Sequence, residues 1–242
     1  MGEFRRIYKT DLSDRQLMAF WRLVQASGRA RAIGYDRPAM DGPAFCRFLR
    51  RPTVFPWLVA WRGVPLALYY LTDLQGRSAQ VHFCFLPCGT RRVSLPAEAV
   101  PAAMREARSR RPARPDIPTE QKNATRAEAA LPSSRAASLG PEAAMVRPIA
   151  HGPVRLPLVQ AAALFGLASA LWEAPELGFR LDTLIGITPQ SNAPALALVR
   201  SLGATEHGTV SGLCWLHDAG RNVPGLLTTF NREAVPQRAA SI

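Results

Sequence analysis

The side chains in this sequence best equipped for chemistry near neutral pH are one histidine in a strand-like run, four cysteines and an excess of arginine. His82 lies in Gln80-Val-His-Phe-Cys-Phe-Leu86, and imidazole titrates close to neutrality, which suits a general base. Cys46, Cys84, Cys88 and Cys214 form no C-x-x-C pair, and their only close spacing is Cys84-x3-Cys88. A strand places His82 and Cys84 on the same face. Zinc would need a second ligand pair, and none is spaced to supply it. The cysteines therefore read as reduced structural thiols, and no metal is expected.

Of the 30 Lys and Arg residues only Lys9 and Lys122 are lysines. The basic charge is thus carried by guanidinium groups, whose planar fork suits phosphate and carboxylate. The net charge of +12 is uneven. Residues 1–88 hold 13 basic against 6 acidic side chains, residues 89–155 hold 12 against 6, and residues 156–242 hold 5 against 6. An anionic partner is expected to meet the first two thirds of the chain.

The elements that must position these groups are marked by period and punctuation. Ser13 with Gln16 forms a capping box, followed by Leu17, Phe20, Trp21 and Val24 at helical spacing and by Gly28 as a stop. A second helix starts after Asp41, with Pro43 in its first turn and Phe45, Phe48 and Leu49 inward. Strands are predicted over 56–61, 64–72 and 78–86, joined by Arg62-Gly63 and Gln75-Gly76. From Gly89 to Arg155 the chain is rich in Ala, Pro, Arg and Ser and poor in large apolar residues, so a disordered insertion is expected. Stretches 97–111 and 119–131 are able to form transient or docked helices. Then come a helix over 156–172, a strand over 181–188, a helix over 193–202 stopped by Gly203, and strands over 209–216 and 225–232.

The 156–172 helix is rich in alanine and interrupted by polar residues, which fits a buried helix rather than a membrane span. The N-terminus, with Glu3 and Asp11 and no apolar core, predicts a cytoplasmic chain.

The stretch Leu184-Ile-Gly-Ile-Thr-Pro-Gln-Ser-Asn192-Ala-Pro-Ala195-Leu-Ala-Leu-Val199-Arg-Ser-Leu-Gly203-Ala204, set in the order ααβββ, insertion, αβαββ, resembles the GNAT (GCN5-related N-acetyltransferase) strand, loop and helix. The resemblance covers residues 1–88 and 156–242 in element order as two halves of one domain, with residues 89–155 as the insertion. It implies an α/β (α+β) fold with a mixed, mostly antiparallel central sheet flanked by helices. It also implies a sheet splayed between Gln80–Leu86 and Leu181–Thr188, with the pantetheine arm of acetyl-CoA paired in the gap like an extra strand. By this resemblance Leu184, Ile185, Gly186 and Ile187 hold the cofactor through their backbone, Asn192 caps the helix or reaches the ligand, and His82 is the base for an amine acceptor, small molecule or protein.

Two positions depart from the family pattern. The Q/R-x-x-G-x-G/A phosphate loop is replaced by His151-Gly152-Pro153-Val154-Arg155-Leu156-Pro157, in which two prolines remove amide donors and Arg155, with Arg147, is left to supply charge. The family's proton-donating Tyr is Val199. The sequence therefore leaves three functions open: an acyl-CoA-dependent N-acyltransferase, a catalytically degenerate binding or assembly module of the same fold, and a nucleic-acid-associated protein that uses the Arg-rich insertion. Acidic dilution and the absence of aromatics in residues 89–155 weigh against the last.

Overall fold

The computed structural model describes residues 3–30, 33, 40–109, 152–173 and 177–242. Its centre is a seven-stranded sheet in which β1 (Phe4–Tyr8), β2 (Phe55–Trp61), β3 (Val64–Gln75) and β4 (Ser78–Phe85) form an antiparallel meander. β7 (Thr183–Pro189) continues the sheet parallel to β4, followed by β9 (Arg221–Asn231) and, at the edge, β8 (Thr205–Leu216). The β2–β3 turn is tight because Arg62 and Gly63 both take positive φ, 51° and 81°, the pairing that matches strand twist in a two-residue hairpin.

Two helices cover one face. α1 (Asp14–Ala26) carries the expected capping box, and α2 (Gly42–Leu49) is capped by Asp41, whose carboxylate accepts from Ala44 N at 2.6 Å. They bury Leu17, Phe20, Trp21, Phe45 and Phe48 against Leu58, Leu68, Tyr70 and Cys84 of the sheet. On the other face lies α4 (Leu158–Glu173), buried on almost every side, as an all-round apolar helix must be. The sheet covers one flank of α4. A C-terminal 3-10 turn, Gln237–Ser241, covers another with Ala239 and Ala240. α5 (Ala193–Ser201) contributes Val199 and Leu202 to the same core. Among the described residues no helix is long and apolar enough to cross a membrane.

Several elements differ from expectation. β1 reads poorly as a strand because Arg5 and Arg6 interrupt it. Arg6 nevertheless turns inward, ion-paired to Glu173 and donating to Ser169 Oγ at 3.2 Å. The region expected to be disordered from Gly89 contains β5 (Arg92–Leu95), α3 (Ala102–Ser109) and β6 (Val154–Pro157). β5 and β6 pair as a separate ribbon, and Val93, Leu95, Val100 and Met104 enter the core around α4. Few large apolar residues are enough when each one is buried. Residues 110–151, including the helix weighed over 119–131 and Arg147, lie outside the described residues. α4 starts at Leu158 rather than 156, because Leu156 and Pro157 complete β6. β9 runs through Pro224, which strand rules disfavour; β8 bulges away there, with no partners between Val210 and Cys214.

Candidate active site

β4 and β7 pair only through Ser78–Gln80 and Thr183–Ile185. Beyond that point β4 runs on to Phe85 and β7 to Pro189 without pairing to each other, and the sheet opens into a cleft of about 610 Å³. Its walls are Gln80–Phe83, Gly186–Pro189, Asn192, Val199 and, from the α1/α2 side, Tyr70, Thr72, Asp73 and the loop around Arg51. The splay falls between the two strands that the sequence singled out.

His82 is on this cleft. Its ring stacks on Tyr70, with centroids 4.5 Å apart and planes 7° from parallel, and Tyr70 meets Phe48 edge-on at 5.4 Å. Register explains the stack, since His82 and Tyr70 are directly opposed across β3 and β4, where cross-strand ring pairs are favoured. His82 Nε2 lies 2.9 Å from Thr72 Oγ1, and the Thr72 hydroxyl donates to Asp73 Oδ2 at 2.9 Å. Thr72 and Asp73 are partners that sequence reasoning missed. The register shift between Thr72 and Gln75 that sets Thr72 opposite Gln80 and brings in Asp73, at φ 50°, leaves no mark in the pattern. Tyr69, the neighbour of Tyr70 on β3, points the other way and is fully buried.

The cofactor candidates separate by depth. Leu184 is fully buried in the α4 core, and Ile185 pairs with Gln80 at the apex. Gly186 and Ile187 line the gap itself. Gly186 has a second reason to be glycine: a Cβ there would lie 2.7 Å from Thr228 Oγ1, which is buried and donates to Gly186 O at 3.2 Å. Gly186→Ala should cost about 1–3 kcal/mol, as overpacking does, in denaturant unfolding, and Thr228→Ala in the same chain should recover part of that loss. Asn192 lies on the cleft and caps α5, with Oδ1 accepting from Ala195 N at 3.3 Å.

Arg155 does not line the cleft. It is exposed on β6, opposite Ser94, with its carbonyl accepting from Arg92 Nη2 at 3.0 Å. The start of α4 just after it is closed on one side by the ribbon. Pro157 has no amide hydrogen, and Leu158 N donates to Arg91 O at 2.8 Å.

Cys84 shares the His82 face but is buried among the α1/α2 residues, and that burial pushes its thiol up to about 11. It is neutral at physiological pH and unsuited to nucleophilic attack. Cys88 is half-buried, and burial also raises its thiol. A disulfide reagent at pH 8 should modify Cys88 well before Cys84. Among the described residues no three His, Cys, Asp or Glu side chains converge.

No family model matches the chain, and no curated protein does. Solved structures do match. Spermidine N-acetyltransferase from Vibrio cholerae, in complex with CoA and spermine, aligns with a TM-score of 0.54 over 96% of this chain and 98% of that chain, at 9% identity. RimJ of Mycobacterium smegmatis, in complex with CoA-disulfide, aligns with a TM-score of 0.52 over 95% and 84%, at 15% identity. A chimera of the Vibrio cholerae enzyme and hSSAT gives 0.51 over 96% and 97%, at 9% identity. At these identities the likeness is one of fold.

Proposed function

We propose that this chain, which has the GNAT fold, is an acyl-CoA-dependent N-acyltransferase acting on an amine. The observation that carries this reading is the splay itself: one mouth between parallel strands holds both unpaired strand edges and a histidine. The edges of Gly186–Thr188 and Val81–Cys84 would take a pantetheine arm as an added strand. Its thioester would then lie near the apex at Gln80 and Ile185, with His82 facing it from β4. Of the solved structures of this fold, one is in complex with CoA and the amine spermine and another with CoA-disulfide.

In the reaction the neutral amine attacks the thioester carbonyl carbon, forming the C–N bond and sending the carbonyl π pair to oxygen. Backbone amides of the splayed strands are placed to stabilise that oxyanion. His82 accepts the proton from the amine nitrogen. As the carbonyl reforms, the C–S bond breaks and the thiolate leaves with its electron pair, to be protonated by the imidazolium or by water. Val199, buried against the cleft, takes no part in proton transfer. We assign the donor's phosphates, in place of helix-start amides, to Arg155 and Arg92 of the ribbon and the adjacent Arg91, which stand outside the cleft walls.

The test is release of free thiol from acetyl-CoA in the presence of polyamines, amino acids and peptide N-termini. Saturable, amine-dependent release supports the reading. Binding of acetyl-CoA without turnover with any amine class would favour a donor-binding module, the reading to which Val199 points.

A further inference from the structure

We propose that the acceptor is an acidic peptide, with its N-terminal amine delivered to His82 and an acidic side chain at its second or third residue bound by Arg51; this rests on the acyltransferase reading of the cleft. On its α1/α2 side the cleft carries two exposed residues of opposite charge, Arg51 and Asp73. They stand at the two ends of one run of contacts. Asp73 Oδ2 accepts from the Thr72 hydroxyl at 2.9 Å, and Thr72 Oγ1 lies 2.9 Å from His82 Nε2. His82 stacks on Tyr70, Tyr70 meets Phe48 edge-on, and the guanidinium carbon of Arg51 lies 5.7 Å from the centre of the Phe48 ring. The carboxylate is thus at the histidine end, and two rings separate the guanidinium from the histidine. An amine that carries its own carboxylate farther along the chain matches that polarity.

The loop that carries Arg51 is held by its backbone. Lys9 Nζ donates to Arg51 O at 2.6 Å and to Val54 O at 2.9 Å, Val54 N donates to Arg51 O at 3.1 Å, and Arg51 N donates to Phe48 O at 3.2 Å. The main chain at Arg51 is therefore fixed while the residue stays exposed, and a guanidinium fork pairs with a carboxylate through two hydrogen bonds. Ile33, Phe48, Val54, Phe55 and Tyr70 give the same side of the cleft an apolar lining, suited to the aliphatic part of a peptide. Length selects the class. A free α-amino acid holds its amine and carboxylate within about 3 Å of each other, short of a path across two rings. An extended peptide advances about 3.3–3.6 Å per residue, which brings its second or third side chain level with Arg51. Pro52 and Thr53 beside Arg51 are exposed, so the rest of the peptide can leave to solvent. A polyamine, cationic along its length, would suit Asp73 but bring a like charge to Arg51.

The test uses the full chain with acetyl-CoA and C-terminally amidated tetrapeptides that differ only in carrying Glu, Gln or Lys at the second or the third residue. Amidation removes the terminal carboxylate, so the varied side chain decides the result. In thiol release, kcat/KM for the better-placed glutamate should exceed that of its lysine counterpart by about tenfold or more, as a charge-assisted pair set against a like-charge contact does, with glutamine between them. The ratio should shrink as salt is raised. Arg51→Glu should reverse the order, and Arg51→Gln should bring the ratio toward one. The same peptides with a C-terminal fluorophore, titrated by anisotropy at millimolar coenzyme A, should rank in the same order. That arm needs no turnover, so an inert protein that still ranks the peptides through Arg51 would sink the acyltransferase reading and leave the acidic-peptide site standing. Equal values for glutamate and lysine peptides, a ranking that Arg51→Glu leaves unmoved, or binding of none of the peptides would overturn the proposal. So would spermidine turned over with a higher kcat/KM than every glutamate peptide.

Discussion

Replacing His82 by Asn should lower turnover of acetyl-CoA with its best amine by about 10²- to 10⁴-fold, the usual worth of a positioned general base, while leaving coenzyme A affinity within about twofold. Asparagine keeps a planar polar side chain on β4 while removing the imidazole, its stack on Tyr70 and the Nε2 contact with Thr72. Because an amine must lose its proton to remain acylated, the defect should fall on kcat rather than on KM. Steady-state kinetics beside donor titration read both quantities. An equal loss of donor affinity would show instead that His82 supports the cleft wall.

Gly166→Ala should destabilise the chain although alanine is the better helix former. A Cβ at Gly166 would lie 2.4 Å from the ring of Tyr69, and that ring has no room to retreat. It is fully buried, stacked on Trp57 at 5.3 Å and flanked by Phe83 and Phe85, with its hydroxyl donating to Ala163 O at 3.3 Å. Alanine gains about 1 kcal/mol in helix propensity over glycine, but overpacking of a rigid aromatic cluster costs about 1–3 kcal/mol and sometimes more. A net loss of up to about 2 kcal/mol is expected, visible as a fall of up to about 4–8 °C in Tm. An unchanged Tm would mean that α4 can shift away from the sheet, and α4 then could not be the rigid support behind β3 and β4 that the cleft requires.

Where periodicity and capping acted together, the sequence was explicit. The Ser13 capping box, the Asp41 and Asn192 caps, the left-handed Gly28 and Gly203, and the β2–β3 hairpin all stand in the structure as their residues foretold. These features are local, so neighbouring residues are enough to encode them. The misses share one cause: they depend on tertiary partners. Arg6 makes sense in a strand only because Glu173 and Ser169 receive it. β5 and β6 are each four residues long and stable only as each other's partner. Pro224 is tolerated in β9 only because β8 bulges opposite it.

The cleft was legible in the same graded way. The strand pair that splays was implied by the family resemblance, and His82, Asn192, Gly186 and Ile187 are all on its walls. Leu184 and Ile185 were carried along by their place in the motif, although Leu184 faces the α4 core and Ile185 the apex pairing. The Asp73 contact could not be read, because a bulge changes which residues share a face without changing the residues themselves.

The most direct test of the central claim is calorimetric titration of the full chain with coenzyme A, alongside Gly186→Ala and Asn192→Ala. If the gap between β4 and β7 holds a pantetheine arm, one equivalent of coenzyme A should bind with a Kd between about 1 μM and 1 mM, a range worth about 4–8 kcal/mol. Both substitutions should raise that Kd at a temperature where each variant is fully folded, separately from the stability that Gly186→Ala loses through Thr228. Absence of binding heat and of any ligand-induced Tm shift at millimolar coenzyme A, or binding indifferent to both substitutions, would contradict the placement of the donor in this cleft.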